Sequence, residues 1–347
     1  MLFPDTPSKL SDLKPGATAD VFALLSSKKQ DVTKAGKPFY KCTFRDADRE
    51  ASVMVWSDSG HFADCEANWT KGAFYKLRGT YEENNYGPQL NLDKIRPVQP
   101  TDAEAGFKES DFFETSRFDP ENMFRALTTL LGDAIEDGPL RAVVLKVLND
   151  RAEAFKTWPA ANRNHHAFAG GLLEHTLSVV RTTQWLCEKY AGMYPEMSPP
   201  LCVDAALAGA ALHDIGKLEE LDGSPAGAEY TSSGRLIGHI LIGRDWLRAA
   251  AAAFEQTGQA GPQGGPADAE LLLRTEHVIV SHHGIREFGS PAEPHTPEAL
   301  IVQHADELDA KFNMLADGLK RAPGDGPFTP FDKRFGKPIF RGLPDAD

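Results

Sequence analysis

Ala206-Leu207-Ala208-Gly209-Ala210-Ala211-Leu212-His213-Asp214-Ile215-Gly216-Lys217 is the stretch on which the reading of this chain turns. Seven small or apolar residues run straight into an imidazole and a carboxylate, with an ammonium three residues past the aspartate. A core helix does not normally end this way, because bare polar groups are costly to bury. A divalent transition metal removes that cost, since neutral imidazole and carboxylate are its ordinary ligands.

Working outward from residue 213, the same pattern recurs. His175 lies within the apolar helical run 170–180 and His239 within 235–243. The pair His282-His283 ends the run 278–284, and Asp306 lies in the helical stretch 300–311. The remaining histidines of this part of the chain are His165, His166, His277, His295 and His304, and only His61 falls earlier. One such histidine alone reads as a core imidazole bonded to a carbonyl. Six groups together (His175, His213, Asp214, His239, His282 and Asp306) would each need a separate buried partner. One shared site satisfies them at once. Four imidazoles and two carboxylates suit two metals bridged by a carboxylate better than one tetrahedral zinc, and such pairs clamp both ends of an in-line displacement at phosphorus.

The first hundred residues read differently. Runs 19–25, 39–46, 51–56, 73–81 and 88–95 are short, branched and aromatic, and are separated by Gly, Pro and Asn turns. Five such strands fit a small barrel of OB type. The stretch 27–38 reads as a basic turn. Residues 26–45 contain Lys28, Lys29, Lys34, Lys37, Lys41 and Arg45 against the single acid Asp31, with Phe39, Tyr40 and Phe44 interleaved. Binders of single strands combine such a positive track with aromatic faces for stacking. Strand alternation sends some of these rings into the core, so Phe39 or Tyr40, one of the two, is the stacking candidate.

The bulk numbers set limits. With 347 residues the chain is long enough for two or three domains. A net charge of −13 argues against a coat of basic charge for duplex DNA. Residues 1–100 hold 14 Lys+Arg against 13 Asp+Glu, so a polyanion would first meet this part. Cys42, Cys65, Cys187 and Cys202 show no CxxC spacing and read as reduced, buried thiols. The absence of a signal-peptide pattern and of any long apolar run leads us to expect a cytoplasmic protein with no membrane partner. The expected organisation is a nucleic-acid-binding barrel over 1–98, a linker with two amphipathic helices over 99–157, an all-α metal-binding domain over 158–320 and a tail over 321–347. The Gly/Pro/Gln-rich stretch 256–266 reads as an inserted surface loop. The basic, aromatic segment 331–341 is open to RNA contact or to docking on its own or a neighbouring subunit.

The order His, HisAsp, His, His, Asp, with HisAspIleGlyLys at 213–217, resembles the HD-domain metal-dependent phosphohydrolases. The motifs at 164–176, 234–243, 281–284 and 305–311 are more specifically similar to the bacterial 3′-to-5′ exoribonucleases of YhaM type, which join an N-terminal OB-fold to a C-terminal HD domain. The expected fold class is therefore multi-domain β + α: a small OB-like barrel followed by an all-α HD domain. The resemblance implies His175, His213 and Asp306 on one metal, His239 and one of the 282/283 pair on the other, and Asp214 bridging. His282 is the favoured ligand, and His283 is left as a second ligand or a proton donor. Imidazole-rich ligation with carboxylates suits Mn²⁺, Co²⁺ or Fe²⁺, and manganese is expected. Two cations would supply hydroxide at neutral pH, and Lys217 would stabilise charge on the phosphoryl oxygens. His165 and His166 are placed on the nucleic-acid surface and, with His283, among the candidate proton donors.

Single-stranded RNA is the expected substrate and nucleoside 5′-monophosphates the products, with single-stranded DNA and a homo-oligomer kept open. The competing readings are an HD phosphodiesterase for cyclic dinucleotides, a nucleotide phosphohydrolase, a di-iron oxygenase, and a non-catalytic OB-type module with a structural metal core.

Overall fold

The computed structural model describes residues 9–84, 87–162, 166–223, 228–256, 268–322 and 326–343. The chain divides into two compact units between Thr115 and Ser116.

In the first unit, strands β1 (Thr18–Val32), β2 (Pro38–Arg45), β3 (Glu50–Trp56), β4 (Phe74–Asn84) and β5 (Gly87–Pro97) close into a barrel in the order β1-β2-β3-β5-β4. The β3–β5 closure is parallel at Ser52 and Gln89, and helix α1 (Phe62–Asn68) joins β3 to β4. This is the order of an OB barrel. Alternation fills the interior: Cys42 and Phe44 from β2, Val53 and Val55 from β3, and Tyr75, Leu77 and Tyr81 from β4 are all buried.

Two expectations change here. The stretch 27–38 is not a turn: β1 runs on to Val32, and only residues 33–37 turn. A bulge between Leu25 and Ser27 bends the strand. Its apolar half pairs with β4 and its polar half with β2, so the pairing continues where the hydrophobic pattern stops. Residues 99–115, read as linker, pack on the barrel. Arg96 donates to both oxygens of Asp102 at 2.6 and 2.7 Å, and the rings of Phe107 and Phe112 lie 5.3 and 5.2 Å from that of Phe74.

The second unit is helical. Helices α2 (Pro120–Ala134) and α3 (Gly138–Asn149) each start on an aspartate cap, Asp119 and Asp137, followed by a proline in the first turn. With α4 (Ala152–Thr157) they contribute Leu127, Leu131, Val144, Leu148 and Phe155 to the main core rather than standing apart with a linker. Then follow α5 (Gly171–Met193), α6 (Val203–Leu212), α7 (Lys217–Glu220), α8 (Ser232–Leu236), α9 (His239–Gln256), α10 (Ala269–Ser281) and α11 (Pro297–Arg321). Helix α6 is apolar on every side and central, with α3, α5, α10 and α11 packed around it. Gly209 permits the approach of α10: a Cβ there would meet Val278 Cγ1 at 2.4 Å.

The basic tail docks on its own chain. Bridges Phe328–Phe340 and Asp332–Lys337 form a hairpin, and Arg334 pairs with Asp317 of α11 and with Asp332. No helix among the described residues is long and apolar enough to cross a membrane. The expected loop 256–266 lies almost wholly outside the described residues.

Candidate metal centre

Each polar group of the centre sits where a helix begins, ends or exposes one buried face. His213 caps the C-terminus of α6, and Asp214 follows in the turn to α7. His175 lies one turn into α5, His239 opens α9, His282 caps α10, and Asp306 comes from the middle of α11. Gly216 sets the approach of α9: a Cβ there would stand 2.1 Å from the His239 carbonyl oxygen and 2.8 Å from the Gly243 nitrogen. Both obstacles are backbone, so no larger residue fits without moving His239.

The six groups converge. His175 Nε2 is 3.2 Å from His213 Nε2, 3.1 Å from Asp306 Oδ1 and 3.4 Å from Asp214 Oδ2. On the other side of the same carboxylate, Asp214 Oδ1 lies 3.3 Å from His239 Nε2 and 3.7 Å from His282 Nε2. Asp214 Oδ1, His239 Nε2 and His282 Nε2 are buried without a hydrogen-bond partner. Buried lone pairs left bare and aimed at one another are unfavourable unless a cation sits among them. Among the described residues three donor sets have metal-binding spacing: His175/His213/Asp306 and His239/His282/His283, with Asp214 between them, and His166/His175/Asp309 on the outer side of His175.

The far nitrogen of every imidazole is spoken for. Nδ1 of His213, His282 and His283 meets the carbonyls of Ala210, Ile279 and Phe288 at 2.7, 2.7 and 2.8 Å. A carbonyl only accepts, so each Nδ1 carries the proton and each Nε2 offers its lone pair inward. Carboxylates do the same work for the other two: Asp309 takes His175 Nδ1 at 2.7 Å, and Glu220 takes His239 Nδ1 at 2.9 Å. Such outer partners fix the tautomer and raise ligand basicity.

The charges follow this arrangement. Burial pushes His282 and His283 below the usual imidazole range, so both are neutral. Burial also works against charge on His175, but Asp214, Asp306 and Asp309 outweigh it and raise that imidazole well above its ordinary value. Burial disfavours charge on Asp214 and Asp306 as well, but Lys217 and His213 hold the first below the carboxylate range, and His175 and His213 the second. Burial disfavours the ammonium of Lys217, yet Asp214 at 2.6 Å keeps it charged. Burial likewise disfavours Asp309 and Glu220, but His166 and His175 hold the first below its ordinary range and His239 the second.

A pH dependence follows with a definite sign. Protons and a cation compete for His175, so Mn²⁺ binding at about pH 7 should release protons and weaken as the pH falls. Titration calorimetry in two buffers of different ionisation enthalpy measures the release, and none at all would contradict the arrangement. In chelator-treated protein, Asp306 and Asp309 contribute stability that is present above the ordinary carboxylate range and lost as the pH drops through their depressed values.

Placement of the other expected residues is mixed. His283 stands with its ring 5.2 Å from that of His239, inside the second donor set. His166, expected at the nucleic-acid surface, is buried: its Nε2 meets Asp309 Oδ2 at 2.9 Å and its backbone takes φ 49°. His165 lies outside the described residues. On the barrel, Lys29, Lys34, Lys37 and Lys41 are exposed, and Phe39 and Arg45 half-buried. Tyr40 is buried with its hydroxyl on Glu66, and Lys28 Nζ donates to the Glu66 and Trp69 carbonyls. Those two residues belong to the barrel frame, which leaves Phe39 of the alternative pair facing outward.

The sequence reading missed Asp309, Glu220 and Trp56. The first two stand three residues after Asp306 and Lys217, on the same helix faces, and that spacing was the available signal. Trp56 pairs across strands with Phe39, their rings 4.9 Å apart.

Fold and site together define an HD-domain metal-dependent phosphohydrolase, and the family model described as "HD domain" matches residues 172–311. A second model, described as "Putative helicase", matches residues 111–220. The 3′-5′ exoribonuclease YhaM of Geobacillus sp. (strain WCH70) is 31% identical over 334 residues, covering 94% of each chain. The enzyme of the same name from Listeria monocytogenes serotype 4b (strain CLIP80459) is 32% identical over 336 residues, covering 96% of this chain and 99% of its own. The chain belongs to the YhaM 3′-5′ exoribonuclease family. Among solved structures, the second OB-fold domain of replication protein A from Methanococcus maripaludis is 19% identical, covering 27% of this chain and 95% of its own at a TM-score of 0.22.

Proposed function

We propose that this chain is a 3′-to-5′ exoribonuclease that holds two divalent cations, Mn²⁺ by the chemistry of its donors, and degrades single-stranded RNA to nucleoside 5′-monophosphates. The observation that carries the reading is the trio of bare, buried atoms Asp214 Oδ1, His239 Nε2 and His282 Nε2, set beside the His175/His213/Asp306 set on the same carboxylate. His175, His213 and Asp306 would hold one cation, His239 and His282 the other, and Asp214 both. Imidazoles outnumber carboxylates, which favours manganese, cobalt or iron over magnesium. Cations bound there lower the pKa of water and neutralise phosphoryl charge.

The chain's own residues do the rest. Asp309, Glu220 and the three backbone carbonyls keep every Nε2 lone pair turned inward. Lys217 supplies a buried positive charge next to Asp214, suited to the oxygens of a phosphodiester. His283, neutral and with Nδ1 held by a carbonyl, fits the role of an additional ligand better than that of a proton donor. His166 gives its Nε2 to Asp309 and is likewise unsuited to proton donation.

The barrel is assigned to holding the strand. Lys29 of β1, Lys41 and Phe39 of β2 and Trp56 of β3 share one outward face, because Lys29 pairs with Lys41, Lys41 with Met54, and Phe39 with Trp56. Trp56 is 44% exposed, a large ring left to solvent on a strand. Strand faces of this kind bind single strands by stacking and charge. Replacing Phe39 and Trp56 together by Ala should weaken single-stranded RNA binding at least about 10-fold. Replacing Lys29 and Lys41 together should flatten the salt dependence of binding by about 1.4 units of slope. Fluorescence anisotropy measures both, and unchanged affinity in the aromatic variant would remove the barrel from the binding role.

The test of the whole reading is one assay. Mn²⁺-loaded protein is incubated with 5′-labelled single-stranded RNA, with the same RNA carrying a blocked 3′ end, and with cyclic dinucleotides. The expected result is stepwise shortening of the free RNA alone, with 5′-monophosphates released. Cleavage of cyclic dinucleotides with intact RNA would overturn it.

A further inference from the structure

Resting on the exoribonuclease reading, we infer that Phe288 is the platform on which the terminal base of the single strand stacks beside the metal centre. Phe288 ends a short turn (Arg286–Phe288) that begins three residues after His283. Its carbonyl oxygen lies 2.8 Å from His283 Nδ1, and the His283 ring stands 4.4 Å from that of His282 and 5.2 Å from that of His239. Phe288 is therefore tied through its backbone to a member of the second donor set, while the residue is 67% exposed. The turn is tied down on both sides. Ile285 N bonds the His283 carbonyl, Gly289 N bonds the Arg286 carbonyl, and Ser290 Oγ and Ala292 N both bond the Val280 carbonyl. The ring is thus presented on a backbone that does not need ordering when a ligand arrives.

A lone exposed phenylalanine needs no explanation. Here the exposure recurs on both segments that deliver the second donor set. Ile285 is exposed two residues after His283, and Leu236, 83% exposed, and Ile237 stand three and two residues before His239. A polyanion gains nothing from an apolar rim through its phosphates, but its bases do, since every base offers a π face. Arg286, exposed on the same turn, adds a cation for the adjoining phosphate. Such a platform accepts any unpaired base and rejects a base locked in a duplex, so it selects single strands without reading sequence.

The experiment compares two RNA oligonucleotides that differ only in whether the 3′-terminal nucleotide carries a base or is abasic. Both are offered to the wild type, Phe288→Ala and Phe288→Trp, after bound manganese is shown to be equal in all three. The wild type should favour the base-bearing end by about 5- to 150-fold in kcat/KM. Phe288→Ala should bring this ratio close to one, and Phe288→Trp should keep it. A second readout needs no turnover: a 3′-terminal 2-aminopurine should be quenched on binding to chelator-treated wild type and Phe288→Trp, and not by Phe288→Ala. A wild-type ratio retained in Phe288→Ala overturns the platform and leaves the exoribonuclease reading standing. Failure of the wild type to shorten either oligonucleotide overturns the exoribonuclease reading itself, and the platform with it.

Discussion

Asp214→Asn should reduce hydrolysis by at least about 10²- to 10³-fold and lower the metal content of the purified protein. The carboxylate offers one oxygen to each donor set, 3.4 Å from His175 and His213 and 3.3 Å from His239. An amide keeps the shape but gives up the charge, and its NH₂ would donate to imidazole lone pairs that a cation would otherwise take. Asn is the better variant than Ala, because its amide oxygen still accepts from the buried Lys217 ammonium, whereas Ala leaves that group with neither charge nor acceptor. Activity and metal stoichiometry are to be measured on the same preparation. Full activity with full metal would show that the reaction runs elsewhere, whatever the convergence of these side chains.

The outer carboxylates separate the two halves of the centre. Asp309→Asn should weaken the half built on His175, and Glu220→Gln the half built on His239, each by about 10- to 100-fold in metal affinity. Asp309 gathers three partners, His166 Nε2 at 2.9 Å, His175 Nδ1 at 2.7 Å and Ser178 Oγ at 2.5 Å. Glu220 holds both the ring and the backbone nitrogen of His239, at 2.9 and 3.1 Å. Two binding steps in a Mn²⁺ titration should therefore respond one at a time, a different step in each variant. A single step, lowered equally by both, would mean that one cation rather than two occupies the centre.

How much of this was legible in the chain can be argued from particular residues. His175, His213, Asp214, His239, His282 and Asp306 stand out because each is a polar group inside an apolar helical pattern, and burial makes that pattern expensive without a shared partner. The five strands stand out by alternation. The continuation of β1 past Leu25 does not, since a bulge redirects pairing without leaving a hydrophobic trace. Residues 99–115 read as linker because they are polar and proline-bearing, although Phe107 and Phe112 anchor them to the barrel. His166 looked like a surface residue because the residues just before it, Arg163-Asn164-His165, are polar, while Asp309, 143 residues further on, draws it inside.

Sequence alone therefore determined which groups are too costly to bury singly and that a β-barrel precedes the helical domain that carries them, since these follow from local pattern and the energetics of desolvation. Only the tertiary structure decided which lone pairs point inward, because that depends on Ala210, Ile279, Phe288, Glu220 and Asp309 meeting imidazoles across turns and neighbouring helices. It also decided which of Phe39 and Tyr40 faces out, a matter of strand register that a one-residue slip would have reversed.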